Sequence, residues 1–437
     1  MFKKYKIWRL VWIIFITTVL VSCQSLPQRR SNQPTTDKNK SGLIVFIGMD
    51  NHIYTINTEG DRKTALTDES MARKGEKRDY RYPTWSWDGK QVTFVSYGKQ
   101  ADGSFESNVY IINRDGSGLK SIFMSSYHVP FHLYWDPSGN RVSFLSISIP
   151  GKGIDLHVVP ANGGESLNVS TGQPFYWSWS PDGQAIVSHT GGSATQQPDS
   201  AQIGLIEARG MNFKVGKIDY RPAYFKAPVY TPDGMQFVVA VKILQEHNIL
   251  VLVSRDGYMQ EVLADLKGIA AFDWSPTGNR LAYVDGVATG VGGVMGPLTV
   301  LDLDSASDPV DIKLDKSNVV AFFWSPNGKR IAYFEPFLVL NEYGGFILLL
   351  NLSVLDVETG TILNIGQLLP TTAFLREVVP FYDQYQRSST IWSPDSEKVV
   401  INAITQNNKP GIFIVSAVKK EKPRFIDYGT LPFWSRQ

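Results

Sequence analysis

Short runs in which bulky apolar residues alternate with smaller ones recur along most of the chain, each at a fixed distance after a turn. Counted from the turn's glycine position, the third and fifth residues are Val92/Phe94, Val142/Phe144, Ile186/Ser188, Phe237/Val239, Leu281/Tyr283, Ile331/Tyr333 and Val399/Ile401. A period of two places each pair on one face of a strand. The residue between them is small in most copies, as at Thr93, Ser143, Ala282 and Ala332.

The turn itself is explicit in Trp324-Ser325-Pro326-Asn327-Gly328, and the same frame begins at Trp85, Trp135, Trp179, Tyr230, Trp274 and Trp392. Proline sets φ for the first turn position, Asp or Asn suits the second, and glycine takes the left-handed position of a bulged hairpin loop. Successive Trp positions are separated by 50, 44, 51, 44, 50 and 68 residues. A period of roughly 40 to 50 residues with four short strands predicts a propeller blade.

The termini bear on the count. Residues 43–46, 53–56 and 64–67 match the second, third and fourth strands of a repeat without its first, and residues 431–435 match a first strand without its second. The expected fold is therefore all-β: one eight-bladed β-propeller of four-stranded antiparallel blades, closed by pairing of the C-terminal strand with the N-terminal strands. A seven-bladed ring with stray ends is the competing count.

The motif resembles the TolB-like and WD-repeat-like β-propeller repeats, with a consensus of the form Pro-x-Trp-Ser-Pro-Asp-Gly-Lys-x-Ile-Ala-Phe. The resemblance covers residues 43–435, and departures such as Asp136 for Ser, Tyr230-Thr231 for Trp-Ser and Ser396 for Gly fall in single turns. It implies the fold, and not TolB's specific envelope role, because the separate N-terminal domain of TolB has no counterpart here.

The chain has 437 residues, 12% aromatic, with 37 Gly and 24 Pro, which suits an all-β domain rich in turns. Its formal charge of +2 depends on Lys3, Lys4, Lys6 and Arg9; without them 39 basic residues face 41 acidic ones. A duplex nucleic-acid binder needs a clustered cationic surface, so nucleic acid is not an expected partner.

Residues 1–22 read as a signal peptide: a basic start, an apolar run over 10–21 that is short for a membrane span, then Leu20-Val21-Ser22-Cys23. The last four residues resemble the bacterial lipobox. That resemblance implies cleavage before Cys23, a diacylglyceryl thioether on its sulfur and an amide-linked acyl chain such as palmitate. Residues 23–41, with almost no apolar content and two prolines, form the expected lipidated cysteine and flexible tether, and 42–437 the propeller. Two or three acyl chains anchor stably where one does not. The expected location is the bacterial cell envelope, facing periplasm or exterior.

Connections between second and third strands, and between blades, are long and irregular, and they share one face of the ring. Binding residues concentrate on such loops over a rigid frame. On this face lie the basic loop containing Arg78 and Arg81, the pair His128 and His132, and the segment 368–385 with Tyr382 and Tyr385; these six are the candidate partner-binding residues. The 368–385 segment either covers the ring as a lid, presents an apolar patch to a partner, or packs on its own blade. His128 and His132 have no third ligand in view, so neither a metal nor a cofactor is expected.

Two functions follow. One is a non-catalytic, monomeric, lipid-anchored propeller that binds an envelope protein, a peptide or a glycan. The other is a propeller hydrolase or lyase with a channel-mouth site built on acids such as Asp285, Glu335, Glu342 and Asp383. The sequence carries neither a Gly-x-Ser-x-Gly elbow nor a His-Glu-x-x-His helix, which favours the first.

Overall fold

Six of the seven repeat turns are closed by one small hydrogen-bond circuit; at Trp274, Ser275 Oγ meets Thr277 Oγ1 at 3.3 Å instead. In the copy at Trp179, Gly183 N donates to Ser180 O at 2.8 Å, Ala185 N donates to Ser180 Oγ at 2.9 Å, and Ser180 Oγ donates to Asp182 at 2.6 Å. Asp182 also accepts from Gln184 N at 2.9 Å. The circuit explains why Ser and Asp stand two apart: each satisfies the other and a backbone amide. The departures from the motif keep it closed. Asp136 accepts from Arg141 N at 3.0 Å in place of the serine, and Ser396 adopts the left-handed conformation (φ 61°) in place of glycine.

The computed structural model describes residues 42–71, 76–100, 102–149, 151, 153–192, 200–243, 247–289, 293–303 and 311–437. Cys23, Arg73 and Lys74 lie outside them. The chain opens with β1 (Ile44–Gly48), β2 (Ile53–Ile56) and β3 (Lys63–Ala65). Six four-stranded antiparallel sheets follow. The first is β4 (Arg78–Trp85), β5 (Gln91–Lys99), β6 (Phe105–Asn113) and β7 (Lys120–Ser125). The second is β8 (His128–Trp135), β9 (Arg141–Ser148), β10 (Ile154–Pro160) and β11 (Leu167–Gly172). The third is β12 (Phe175–Trp179), β13 (Ala185–Thr190), β14 (Gln202–Arg209) and β15 (Asn212–Ile218).

The fourth is β16 (Val229–Tyr230), β17 (Gln236–Lys242), β18 (Asn248–Ser254) and β19 (Met259–Leu266). The fifth is β20 (Ile269–Trp274), β21 (Arg280–Ala288), β22 (Val294–Asp302) and β23 (Ile312–Val319). The sixth is β24 (Ala321–Trp324), β25 (Arg330–Leu340), β26 (Phe346–Asp356) and β27 (Ile362–Leu368). A π-helical turn (Phe374–Val378), a 3-10 turn (Val379–Phe381) and helix α1 (Tyr382–Ser388) come next. The chain then ends in β28 (Lys398–Ile404), β29 (Pro410–Ser416) and β30 (Arg424–Trp434).

The last three strands and the first three form one six-stranded sheet, β28-β29-β30-β1-β2-β3. The propeller therefore has seven blades, and the eight expected from the repeats is wrong. The reason is β30. Its first half pairs with β29 (Gly411 with Tyr428) and its second half with β1 (Ile44 with Trp434, Val45 with Phe433), with no connection between the halves. Two repeat units that the motif spacing separates thus share a single sheet. The ends are not stray; they close the ring and leave no open edge between them.

Both faces of the second strand in each blade are covered. Val92, Phe94, Val142, Phe144, Ile331 and Tyr333 are buried on one face, and Thr93, Ser143 and Ala332 on the other. Small residues on one face let the adjoining blade's large ones approach, the close packing that protein interiors require. Indole N–H groups join neighbouring blades at the innermost strands: Trp135 donates to Thr84 O at 3.3 Å, Trp324 to Asp273 O at 3.2 Å and Trp392 to Phe323 O at 2.9 Å.

Candidate functional site

The innermost strand of each blade lines the central channel, and two of these strands carry a bulge three residues before their tryptophan. The β4/β5 register shifts between Arg81 and Thr84 and the β8/β9 register between Phe131 and Leu133, and Tyr82 and His132 take positive φ of 55° and 48°. Leu431, three before Trp434, does the same at 53°. A non-glycine residue held there costs on the order of 1–3 kcal/mol and persists only where its surroundings enforce it. Here the bulges turn Tyr82 and His132 toward the channel.

What they meet is the chain's own segment 369–389. Helix α1 contacts β8, β12, β20 and β24, innermost strands of four blades, so the segment fills the channel and neither lies over it as a lid nor packs on its own blade alone. Tyr385 stands 4.9 Å from His132 and 6.1 Å from Phe433 (ring centroids), and Phe381 stands 5.8 Å from His132. Tyr382 packs on Phe322 at 5.3 Å and on Phe323 at 6.2 Å. Burial pushes the His132 imidazole down to about 4 and both tyrosine hydroxyls well above 10.

The polar side of α1 meets a second set of groups. Asp383 accepts from Ala227 N at 3.2 Å, Arg387 donates to Ala227 O at 3.1 Å, and Gln384 accepts from Trp177 N at 3.1 Å. Arg387 lies 4.0 Å from Asp273 on β20, and Arg436 Nη2 donates to the helix carbonyls of Gln386 and Arg387 at 3.1 and 2.9 Å. Burial raises the Asp273 carboxyl to about 6 despite the opposing pull of Arg387, with the Asp383 charge a smaller contribution in the same direction. Asp273 went unnoticed in the sequence. The available signal was its position, immediately before an inner-strand Trp, where the other copies carry Thr84, Tyr134, Ser178, Val229, Phe323, Ile391 and Phe433.

The six candidate partner-binding residues do not form one site. Tyr382 and Tyr385 are buried in the channel filling, so their expected place on a binding surface is wrong, and His132 is enclosed with them by aromatic rings. Arg78 is held by Glu106 at 2.7 Å and Glu76 at 3.2 Å with all three side chains buried. Arg81, half-buried, lends its charge to Glu377 of the filling segment, whose carboxyl burial pushes up. His128 turns away from His132 and faces β10. The acids scatter too: Asp285 caps the turn at Lys267 and Gly268 (2.9 and 2.8 Å), Glu335 accepts from Asn318 N at 3.2 Å, and Glu342 is exposed.

Exposed apolar residues occur at both ends of the ring: Leu119, Met235, Tyr258 and Ile362 lie at the short-turn end, and a second set lies on the long-loop face. Met49, Met124, Tyr127, Ile147, Ile149, Ile243 and Val287 all lie at that end of their strands. The largest group is on the hairpin of β25 and β26, which pair from Arg330 with Asp356 out to Leu340 with Phe346. Its outer residues Leu338, Leu340, Tyr343 and Phe346 are 61, 68, 88 and 69% exposed. Exposed apolar groups of this size concentrated on one element mark interaction surfaces. Two open clefts, of about 380 and 450 Å³, flank Lys217, Ile218, Asp219 and Tyr220 at the end of β15. No helix among the described residues is long and apolar enough to cross a membrane.

No protein-family model matches the chain, and no curated protein matches it. Solved structures do, at the level of fold. The dihydro-heme d1 dehydrogenase NirN is 12% identical with a TM-score of 0.53, covering 94% of this chain and 78% of that one. An oligogalacturonate lyase in complex with manganese is 12% identical with a TM-score of 0.50, covering 86% and 96%. A TolB from Agrobacterium tumefaciens is 14% identical with a TM-score of 0.36, covering 75% and 90%. The chain is a β-propeller, and TolB is among its structural neighbours.

Proposed function

We propose that this β-propeller is a non-catalytic binding protein of the bacterial cell envelope, tethered by lipid on Cys23 and residues 24–41, that docks a protein partner through its long-loop face. The observation that supports this reading is the overrunning apolar hairpin of β25 and β26. Tyr343 and Phe346 on that hairpin are the residue types that anchor interfaces, large rigid rings with few rotamers to lose. The filled channel bears on the alternative. Asp273, Asp383 and Arg387 have the chemistry of an active site, yet the side chains of α1 occupy the space a substrate would need.

A photo-crosslinking residue at Tyr343 of the full-length chain, activated in intact envelopes, tests the reading. The expected result is one protein adduct of defined mass, lost when Leu340→Glu and Phe346→Glu are introduced. An adduct that survives both changes, adducts to lipid alone, or turnover of a substrate abolished by Asp273→Asn would overturn it. Cys23→Ala, in the same cells, is expected to release the chain from the membrane fraction.

A further inference from the structure

Across the second blade, strands β8, β9, β10 and β11 bring a row of polar side chains to one surface. His128 at the start of β8, Asp155 and His157 on β10 each offer a ligand atom, and the three atoms lie within 4.8 Å of one another. The register makes this so: His128 pairs with Ser148, Ser146 pairs with Asp155, and Asp155 pairs with Thr171. Sequence spacing pointed to His128 with His132 four residues on, but the bulge sends His132 into the channel, and the partners of His128 come from across the sheet.

The surroundings have the features of a built site. Ser148 Oγ donates to Asp155 Oδ2 at 3.0 Å and lies 3.2 Å from His128 Nδ1, Ser146 Oγ lies 3.3 Å from the same nitrogen, and Thr171 donates to Asp155 Oδ1 at 2.6 Å. These hydroxyls orient two of the three groups, as second-shell partners of metal ligands do. His157 is 5% exposed; its Nδ1 sits 3.3 Å from Ser166 Oγ, while its Nε2 is buried without a protein partner. Leaving an imidazole nitrogen so is costly unless something else satisfies it. Phe144 stacks on the His157 ring at 5.2 Å and Phe123 closes a third side at 5.6 Å, walls that keep the local dielectric low.

We propose that His128, Asp155 and His157 bind one divalent first-row transition cation, with zinc the best match. Two imidazoles and a carboxylate are a zinc-type donor set, and three protein ligands leave a fourth position for water or a partner's group. Bonds of 2.0–2.1 Å place tetrahedral donors about 3.3 Å apart, against separations of up to 4.8 Å here. His128 itself stands half-buried beside exposed Tyr127 on the long-loop face, within reach of solvent.

The test is zinc titration of the untagged full-length chain in detergent by calorimetry, with metal content measured after dialysis. One equivalent is expected to bind and to raise the melting temperature. His157→Ala and the isosteric Asp155→Asn should each weaken binding by more than about a hundredfold, and Ser148→Ala by about tenfold, because loss of an outer-shell partner has an effect of that order. His247→Ala, which removes the exposed His247–Asp265 pair, should leave it unchanged. Absence of stoichiometric binding, or binding that survives His157→Ala and Asp155→Asn in chains with an unaltered circular dichroism spectrum, would overturn the proposal.

Discussion

His132 and Tyr385, 253 positions apart in sequence, lie with ring centroids 4.9 Å apart and link a bulged inner strand to the segment that fills the ring. Tyr385 also stacks on Phe433 of the closing strand at 6.1 Å. Its truncation therefore opens a cavity at a point where three separate elements meet. Tyr385→Ala is expected to destabilise the protein by about 3–4 kcal/mol, the usual range for deleting a buried aromatic ring, seen as a lower urea midpoint. A shift under about 1 kcal/mol would mean that the filling segment is not part of the cooperative core.

Two half-buried groups in the channel give pH dependences of opposite sign. His132 is held at about 4, below its unfolded value, so its contribution is present above pH 6.5 and lost as pH falls toward 4. Asp273 is raised to about 6, so its contribution is complete below its unfolded value near 3.8 and lost as pH rises through 6. Each amounts to about 3 kcal/mol as an upper bound. His132→Phe should flatten the acid limb of a melting-temperature profile between pH 6.5 and 4, and Asp273→Asn should remove a decline between pH 4 and 6. Parallel profiles for wild type and variant would refute the corresponding assignment.

The turn at Trp135 substitutes a carboxylate for the usual serine, and Arg141 answers it at 2.8 Å with both side chains buried. Arg141 also donates to the Gly210 carbonyl at 2.6 Å and stacks over Trp179 at 4.6 Å. Removing one member of a buried pair strands the other, so Arg141→Ala should be destabilising by about 3–5 kcal/mol. The pair Asp136→Ser with Arg141→Gln should recover part of this, because a serine there can accept from the backbone N–H of residue 141 as Ser180 does from Ala185 N, with no buried charge left behind. A double-mutant cycle in chemical denaturation checks both.

How much of this was legible in the residues follows from the range over which each signal acts. The turn circuits are local, and Ser180 with Asp182 or Ser325 with Asn327 could be read directly. The meeting of Ile44 with Trp434 was also legible, because the half-repeats at the two ends complement each other. The blade number was not, since whether Arg424–Trp434 breaks between its halves depends on the pairing of two distant strands. The aromatic residues of 368–385 left open a lid, a patch for a partner or packing on their own blade, and nothing local told that the ring interior would receive Tyr382 and Tyr385. Equal spacing of His128 and His132 suggested a shared face, and one left-handed residue, His132 at φ 48°, undid it.

Leu340→Glu with Phe346→Glu should leave the melting temperature within about 2 °C of wild type, because both side chains are mostly solvated, and surface changes of this kind have effects within about 0.5 kcal/mol. The same pair should lower binding of a hydrophobic dye to the native chain. A large loss of stability would instead mean that the hairpin tip packs on its own blade.

Ending the chain after Gly429 removes the residues that pair with Ile44, Val45 and Ile47, together with Arg436 at the carbonyls of Gln386 and Arg387. The expected outcome is loss of the cooperative transition and rapid proteolysis, out of proportion to the eight residues removed. A truncated chain that still melts sharply would show that the seam is dispensable.

The seam also has a bearing on biogenesis. Since β1 pairs with β2 on one side and finds its other neighbour only in β30, a nascent polypeptide holds one edge of β1 unpaired until nearly everything else has been made. Through that interval the exposed edge invites pairing with another molecule. Maturation is thus gated by completion of translation, and stalled or prematurely ended products enter the pool as candidates for aggregation or degradation.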